Sequence, residues 1–115
     1  MRIKIGVDFS REERFLASFK KGGGSFLNRL FTNQELRQNS TAQLASIFSL
    51  KEAVIKALEL PQNSWLQINT NRKENGKVEC SFLNEKIAEK ISSLDTSISH
   101  DGGWIIAEAV VILKI

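Results

Sequence analysis

Asp8 and Glu52 are the two acidic side chains whose settings suggest chemistry beyond surface solvation. Asp8 closes the alternating segment Ile3-Lys4-Ile5-Gly6-Val7. Glu52 lies within Phe48-Ser49-Leu50-Lys51-Glu52-Ala53-Val54-Ile55-Lys56-Ala57-Leu58. Glu52 and Lys56 are four apart, so on a helix they share one face and set an anion beside a cation. A strand-end carboxylate, a helix carboxylate and a neighbouring ammonium could together hold Mg²⁺ and a phosphate, because Mg²⁺ takes one or two carboxylates and completes its octahedron with phosphate and water. The plainer readings are a helix cap at Asp8 and a surface pair at Glu52–Lys56, worth roughly 0.2–1 kcal/mol.

His100 is the only histidine. With Ser97, Ser99, Asp101, Gly102 and Gly103 it forms a polar, glycine-containing turn suited to contacting a phosphate, although a hydrogen-bonded structural role is the commoner use of a lone histidine. Lys20-Lys21-Gly22-Gly23-Gly24 resembles a phosphate loop only superficially. It follows a helix and lacks the required spacing, which excludes a nucleotide-hydrolase reading. Cys80 alternates with Val78 and Phe82 and reads as a small buried hydrophobe. One cysteine and one histidine are too few for a zinc cage or a disulfide framework, so any metal here is a hard, oxygen-liganded cation.

The elements that must position these groups follow from periodicity. Ile3, Ile5 and Val7 predict a strand with one buried face, ending at Asp8. Ser10 and Glu13 have capping-box spacing and precede Phe15, Leu16 and Phe19 on one helical face, with the glycine run as the stop. Phe26 to Phe31 form a second helical cluster, and Thr32 with Glu35 open a third short turn. Ser40 to Leu60 is the longest predicted helix, capped by Ser40 and Gln43 and stopped by Pro61. Leu66 to Thr70 and Val78 to Phe82 read as strands around an Asn75-Gly76 turn. Asn84 to Ser92 reads as a helix. Ile98 belongs to a strand ending at His100, Asp101-Gly102-Gly103 turns the chain, and Ile105 to Leu113 is apolar enough for a central strand covered on both faces. The predicted fold class is α+β: a largely antiparallel sheet against one long and several short helices.

The 115 residues, 42% hydrophobic and 25% charged, suit one domain spanning 1–115. Met1 leads into an alternating segment, so no signal peptide is expected. The longest apolar stretch, Trp104 to Leu113, is interrupted by Glu108 and is about half a membrane span. A soluble, cytoplasmic protein without a membrane partner is expected. The net charge of +3 is a mild bias toward anionic partners. Without a dense basic stripe or an aromatic platform it does not make a nucleic-acid-binding domain.

Taken together the segments resemble the holo-acyl-carrier-protein synthase family, the small 4'-phosphopantetheinyl transferases. The residues that carry the resemblance, in family order, are Gly6-Val7-Asp8 with Arg14-Phe15; Phe26-Leu27-Asn28-Arg29-Leu30-Phe31-Thr32 with Glu35-Leu36; Phe48 with Lys51-Glu52-Ala53 and Lys56-Ala57-Leu58; Gly76-Lys77; and Ser97-Ile98-Ser99-His100-Asp101. The resemblance implies transfer of phosphopantetheine from coenzyme A to a serine of an apo acyl carrier protein. It implies Asp8 and Glu52 as Mg²⁺ carboxylates, Glu52 and Lys56 as catalytic, and Lys51, Lys56, Ser99 and His100 as coenzyme A contacts. It further implies a homotrimer, with an acidic carrier docking on Arg14, Lys20 and Lys21. Ile47 departs from the family pattern where a basic residue usually holds coenzyme A phosphate; Phe9-Ser10, Glu12 and Val78 depart as well. These departures keep a second reading open: a binding module that holds carrier protein or coenzyme A without transfer.

Overall fold

The computed structural model describes residues 1–115. Ten elements follow one another: β1 (Arg2–Arg11), α1 (Glu12–Leu30), α2 (Asn33–Gln38), α3 (Thr41–Leu58), a single 3₁₀ turn (Trp65–Gln67), β2 (Ile68–Arg72), β3 (Val78–Phe82), α4 (Glu85–Glu89), β4 (Ile91–Asp101) and β5 (Trp104–Leu113). β5 lies between β1 and β4 in an antiparallel three-stranded sheet, and β2 and β3 form a separate hairpin. The α+β class expected from periodicity is what the chain adopts. No helix is long and apolar enough to cross a membrane.

α3 organises the core. Ser40 and Gln43 form a reciprocal capping box, and the helix closes at Glu59 in the left-handed region (φ 55°), just before Leu60-Pro61. Its buried face carries Leu44, Ile47, Leu50, Val54 and Ala57, against Ile105, Ala107, Ala109 and Val111 of β5. Gly6 on β1 decides how close the helix can come. A side chain there would run into the backbone of α3 at Ala53 and Ala57.

Several local expectations give way to tertiary context. β1 continues past Asp8 to Arg11, so Ser10 is a strand residue whose hydroxyl pairs with Ser49, and α1 starts without a side-chain cap. The glycine run kinks α1 at Gly23 (φ 58°, ψ −145°), and the helix resumes at once to Leu30. α4 is a single short turn, because Ile91 is already paired with Leu113. The β2–β3 loop turns on Glu74 and Asn75, with Gly76 as its left-handed third residue (φ 88°) and its N–H bonded to the Lys73 carbonyl.

The largest reversal concerns the sheet faces. In β1 the side chains that face α3 are Lys4, Gly6, Asp8 and Ser10, while Ile3, Ile5, Val7 and Phe9 are exposed on the other side. β5 alternates in the same way: Ile105, Ala107, Ala109 and Val111 are buried, and Trp104, Ile106, Glu108 and Val110 face outward. The expectations that the Ile3-Ile5-Val7 face of β1 is buried and that β5 is covered on both faces therefore fail within one chain.

Candidate functional site: two carboxylates beside a larger basic cleft

The inversion of β1 brings the chemistry together. Asp8 points toward α3, and Gly6, two residues earlier, lets that helix settle close enough for Lys56 to reach over the strand. Lys56 Nζ lies 3.1 Å from Asp8 Oδ1 and donates to the Val7 carbonyl at the same distance. The carboxylate is 14% exposed and the ammonium 52%, so the pair is open on its cationic side. Glu52 is half-buried one helical turn before Lys56 and accepts a hydrogen bond from the Trp65 indole at 3.4 Å. Desolvation raises its carboxyl above the ordinary range, and the charge of Asp8 adds to this; the Trp65 bond and Lys56 act in the other direction.

Asp8 and Glu52 open onto one cavity of about 280 Å³, walled also by Ser10, Arg14, Phe15 and Phe48. Two carboxylates facing one space, with no soft donor, suit a hard divalent cation whose remaining positions are left to water and phosphate. Arg14 belongs to α1 and lines this cavity, whereas Lys20 and Lys21 are exposed further along the helix, before the Gly23 kink. α1 thus starts at the mouth of the carboxylate cavity with Glu12 and Glu13, and its exposed cations Arg14, Lys20 and Lys21 follow.

A second, larger cleft of about 500 Å³ lies toward β4, with Ser46, Arg72, Lys77, Thr96 and His100 on its walls and no carboxylate among its lining residues. Asp8 is in register with Ala107, and Ala107 with Ile98 on the cleft wall. Two strand spacings therefore separate cavity from cleft, about 10 Å. Arg72 is half-buried and pairs with no acid. Its Nε donates to Asn39 at 2.9 Å and its backbone N–H to Gln38 at 3.0 Å, so the end of α2 holds it in place. Lys77 is tied to Asp95 at 2.8 Å.

Three residues sit where the motif alone did not put them. Lys51, expected among the coenzyme A contacts, is wholly buried. Its ammonium donates to Glu35 Oε1 (2.6 Å), the Leu30 carbonyl (2.8 Å) and the Trp65 carbonyl (3.0 Å). All three of its protons are thereby used, which leaves none for a ligand. Ser99 is in register with outward-facing Ile106, on the other side of β4 from His100. Ile47 is completely buried in the core and faces no cleft. Arg72 and Trp65 were not singled out from the sequence, and nothing in the spacing marks them. The sequence marks Glu35 as the capping partner of Thr32 and within the family motif, but without its role as the partner of Lys51.

Comparisons with known proteins identify the family. Residues 4–109 match the family model of the 4'-phosphopantetheinyl transferase superfamily. A holo-acyl-carrier-protein synthase of Dehalococcoides mccartyi is 35% identical over 115 residues, covering 94% of this chain and 97% of the relative. Another, from Protochlamydia amoebophila, is 37% identical over 120 residues, covering 96% and 98%. The crystal structure of the Helicobacter pylori enzyme in complex with coenzyme A superimposes with a TM-score of 0.81 at 31% identity, covering 96% of this chain and 99% of that one. The chain therefore belongs to the 4'-phosphopantetheinyl transferase superfamily, among the holo-acyl-carrier-protein synthases.

Proposed function

We propose that this transferase moves the 4'-phosphopantetheine group of coenzyme A onto a serine of an apo acyl carrier protein in a Mg²⁺-dependent reaction. The observation that carries the reading is the convergence of Asp8 and Glu52 on one cavity, with Lys56 paired to Asp8 at 3.1 Å. Asp8 and Glu52 would hold Mg²⁺, which when bound neutralises pyrophosphate charge. Glu52 accepts the proton of the serine hydroxyl as its oxygen attacks the phosphorus next to the pantetheine arm. The bond to the bridging oxygen breaks, and 3',5'-ADP leaves. Lys56 offsets the charge that develops on the leaving group. Phosphoryl transfer asks chiefly for such positioning and neutralisation.

The cleft of Arg72, Lys77 and His100 receives the remaining phosphate of coenzyme A, on its 3'-phosphoadenosine end. Arg72 supplies there a cation that Ile47 does not. Arg14, Lys20 and Lys21 form the docking strip for an acidic carrier. The exposed face of Ile3, Ile5, Val7, Phe9, Ile106 and Val110, interrupted by Glu108, supports assembly of a homotrimer, because so much apolar sheet is rarely left bare in solution. A cytoplasmic location and a place in fatty acid biosynthesis belong to the same proposal.

The test is direct. Apo carrier protein incubated with the chain, Mg²⁺ and coenzyme A should gain the mass of one phosphopantetheine. No gain across several carriers, alongside metal-independent coenzyme A binding, would favour the binding-module reading instead.

A further inference from the structure

Trp65 touches both charged regions of α3. Its backbone carbonyl accepts from Lys51 Nζ at 3.0 Å, and its indole Nε1 donates to Glu52 Oε1 at 3.4 Å. Its ring packs against Phe48, centroids 6.3 Å apart, and Phe48 forms part of the carboxylate cavity wall. The 3₁₀ turn that carries it is closed by backbone bonds from Ser64 to Pro61 and from Gln67 to Ser64. Lys51 is fixed in its turn by Glu35, whose other carboxylate oxygen accepts from the Thr70 N–H (2.9 Å) and hydroxyl (2.7 Å). The indole N–H is thus presented by a residue already held through its carbonyl and its ring face.

We infer that Trp65 is a positioning residue for Glu52: its indole N–H holds one carboxylate oxygen so that the group enters the cavity in a single orientation. The inference rests on the reading of Glu52 as a metal-holding carboxylate. A glutamate on a helix surface has three rotatable torsions, and ordering them costs conformational entropy at the moment a ligand binds. A donor fixed by the fold moves that cost into folding, which is preorganisation. Indole suits the task because it donates, cannot accept and stays neutral throughout the working pH range. It occupies one of about four acceptor positions on the carboxylate and leaves the others for a cation. The buried Glu35–Lys51 pair then has a role beyond the core: it fixes the Trp65 backbone from which the donor projects.

Trp65→Phe keeps the ring packing and removes only the donor. Mn²⁺ binding by calorimetry should weaken about three- to tenfold, the span expected for one hydrogen bond, with kcat/KM falling in parallel and the melting temperature held. The chain has two tryptophans, so two indole signals appear in a ¹⁵N spectrum, and Trp104 is stacked on Phe9 at the outer sheet face. Added diamagnetic Mg²⁺ should shift the Trp65 signal more than the Trp104 signal, and Glu52→Gln should shift it. Unchanged Mn²⁺ affinity in Trp65→Phe, or affinity lost only in step with melting temperature, overturns the positioning role. An indole signal indifferent to Glu52→Gln does the same without relying on the Phe variant. Native protein that takes up no Mn²⁺ overturns the metal-site reading beneath it, a result distinct from the other two.

Discussion

Lys51 and Lys56 are five residues apart on one helix, each with a carboxylate partner, and they do opposite work. Lys51 meets Glu35 at 2.6 Å with both side chains wholly buried; every proton of the ammonium is donated, and each Glu35 oxygen accepts twice. Lys56 meets Asp8 at 3.1 Å with half of its side chain exposed. The first pair is closed: burial pushes the Lys51 ammonium below its usual range, Glu35 opposes that shift, and no bonding capacity remains for a ligand. The second is open toward a cavity that also holds Glu52. Ion pairs become chemistry where their bonding is incomplete, and structure where it is complete.

The largest expected effect comes from breaking the closed pair. Glu35→Gln or Lys51→Met alone should cost about 3–5 kcal/mol, since each strands a buried charge, while removing both charges together with apolar replacements should cost less than the worse single change. Denaturant titration of the three variants checks this, and a double variant as damaged as the sum would contradict it. Opening the second pair should do the reverse. Lys56→Ala or Asp8→Asn should reduce transfer on the order of 10²-fold, with at most about 1 kcal/mol of stability lost. Parallel melting and transfer assays separate the two quantities.

A thiol provides a finer probe of closure. Cys80 is pushed up to about 12 by burial, with the Glu35 charge adding and Lys51 opposing. Iodoacetamide at neutral pH should therefore label native protein far more slowly than unfolded protein, and Glu35→Gln should raise the rate by loosening the region. Equal labelling of native and unfolded chains would mean that the pair does not close this part of the fold.

The smallest effect belongs to a third pair, Lys77–Asp95, at 2.8 Å on the surface. The Lys77 hydrogen bond, helped by the Thr96 N–H, holds Asp95 below its usual range. A depressed carboxylate contributes stability above its unfolded value of 3.8 and loses it as pH falls through the lower native value. Both groups are fully exposed, so Asp95→Asn should shift acid unfolding only marginally, and the shift should vanish in high salt. A large, salt-insensitive shift would place this pair with the closed one.

How much of this was legible in the sequence depends on how local each cause is. The capping boxes at Thr32–Glu35 and Ser40–Gln43, the length of α3 and the Gly102-Gly103 turn were readable, because their hydrogen bonds close within a few residues. So was the proximity of Glu52 to Lys56, which helix geometry imposes. Ser10–Glu13 had the same cap spacing and failed, because pairing of Ser10 with Ile105 keeps the strand running. Lys51 and Lys56 looked alike, since nothing in a motif states which side of a helix will be covered.

By itself the sequence determined the α+β class, the order of the main elements and the candidacy of Asp8, Glu52 and Lys56. Only the tertiary structure decided which face of β1 meets the helix. Alternation in a strand specifies two faces without naming the inner one. The naming was done by Gly6, through the close approach of α3 that its missing side chain permits, and by small Ala107 and Ala109 beneath the helix. That choice turned the isoleucines outward and Asp8 inward, toward the two α3 residues with which it shares a site.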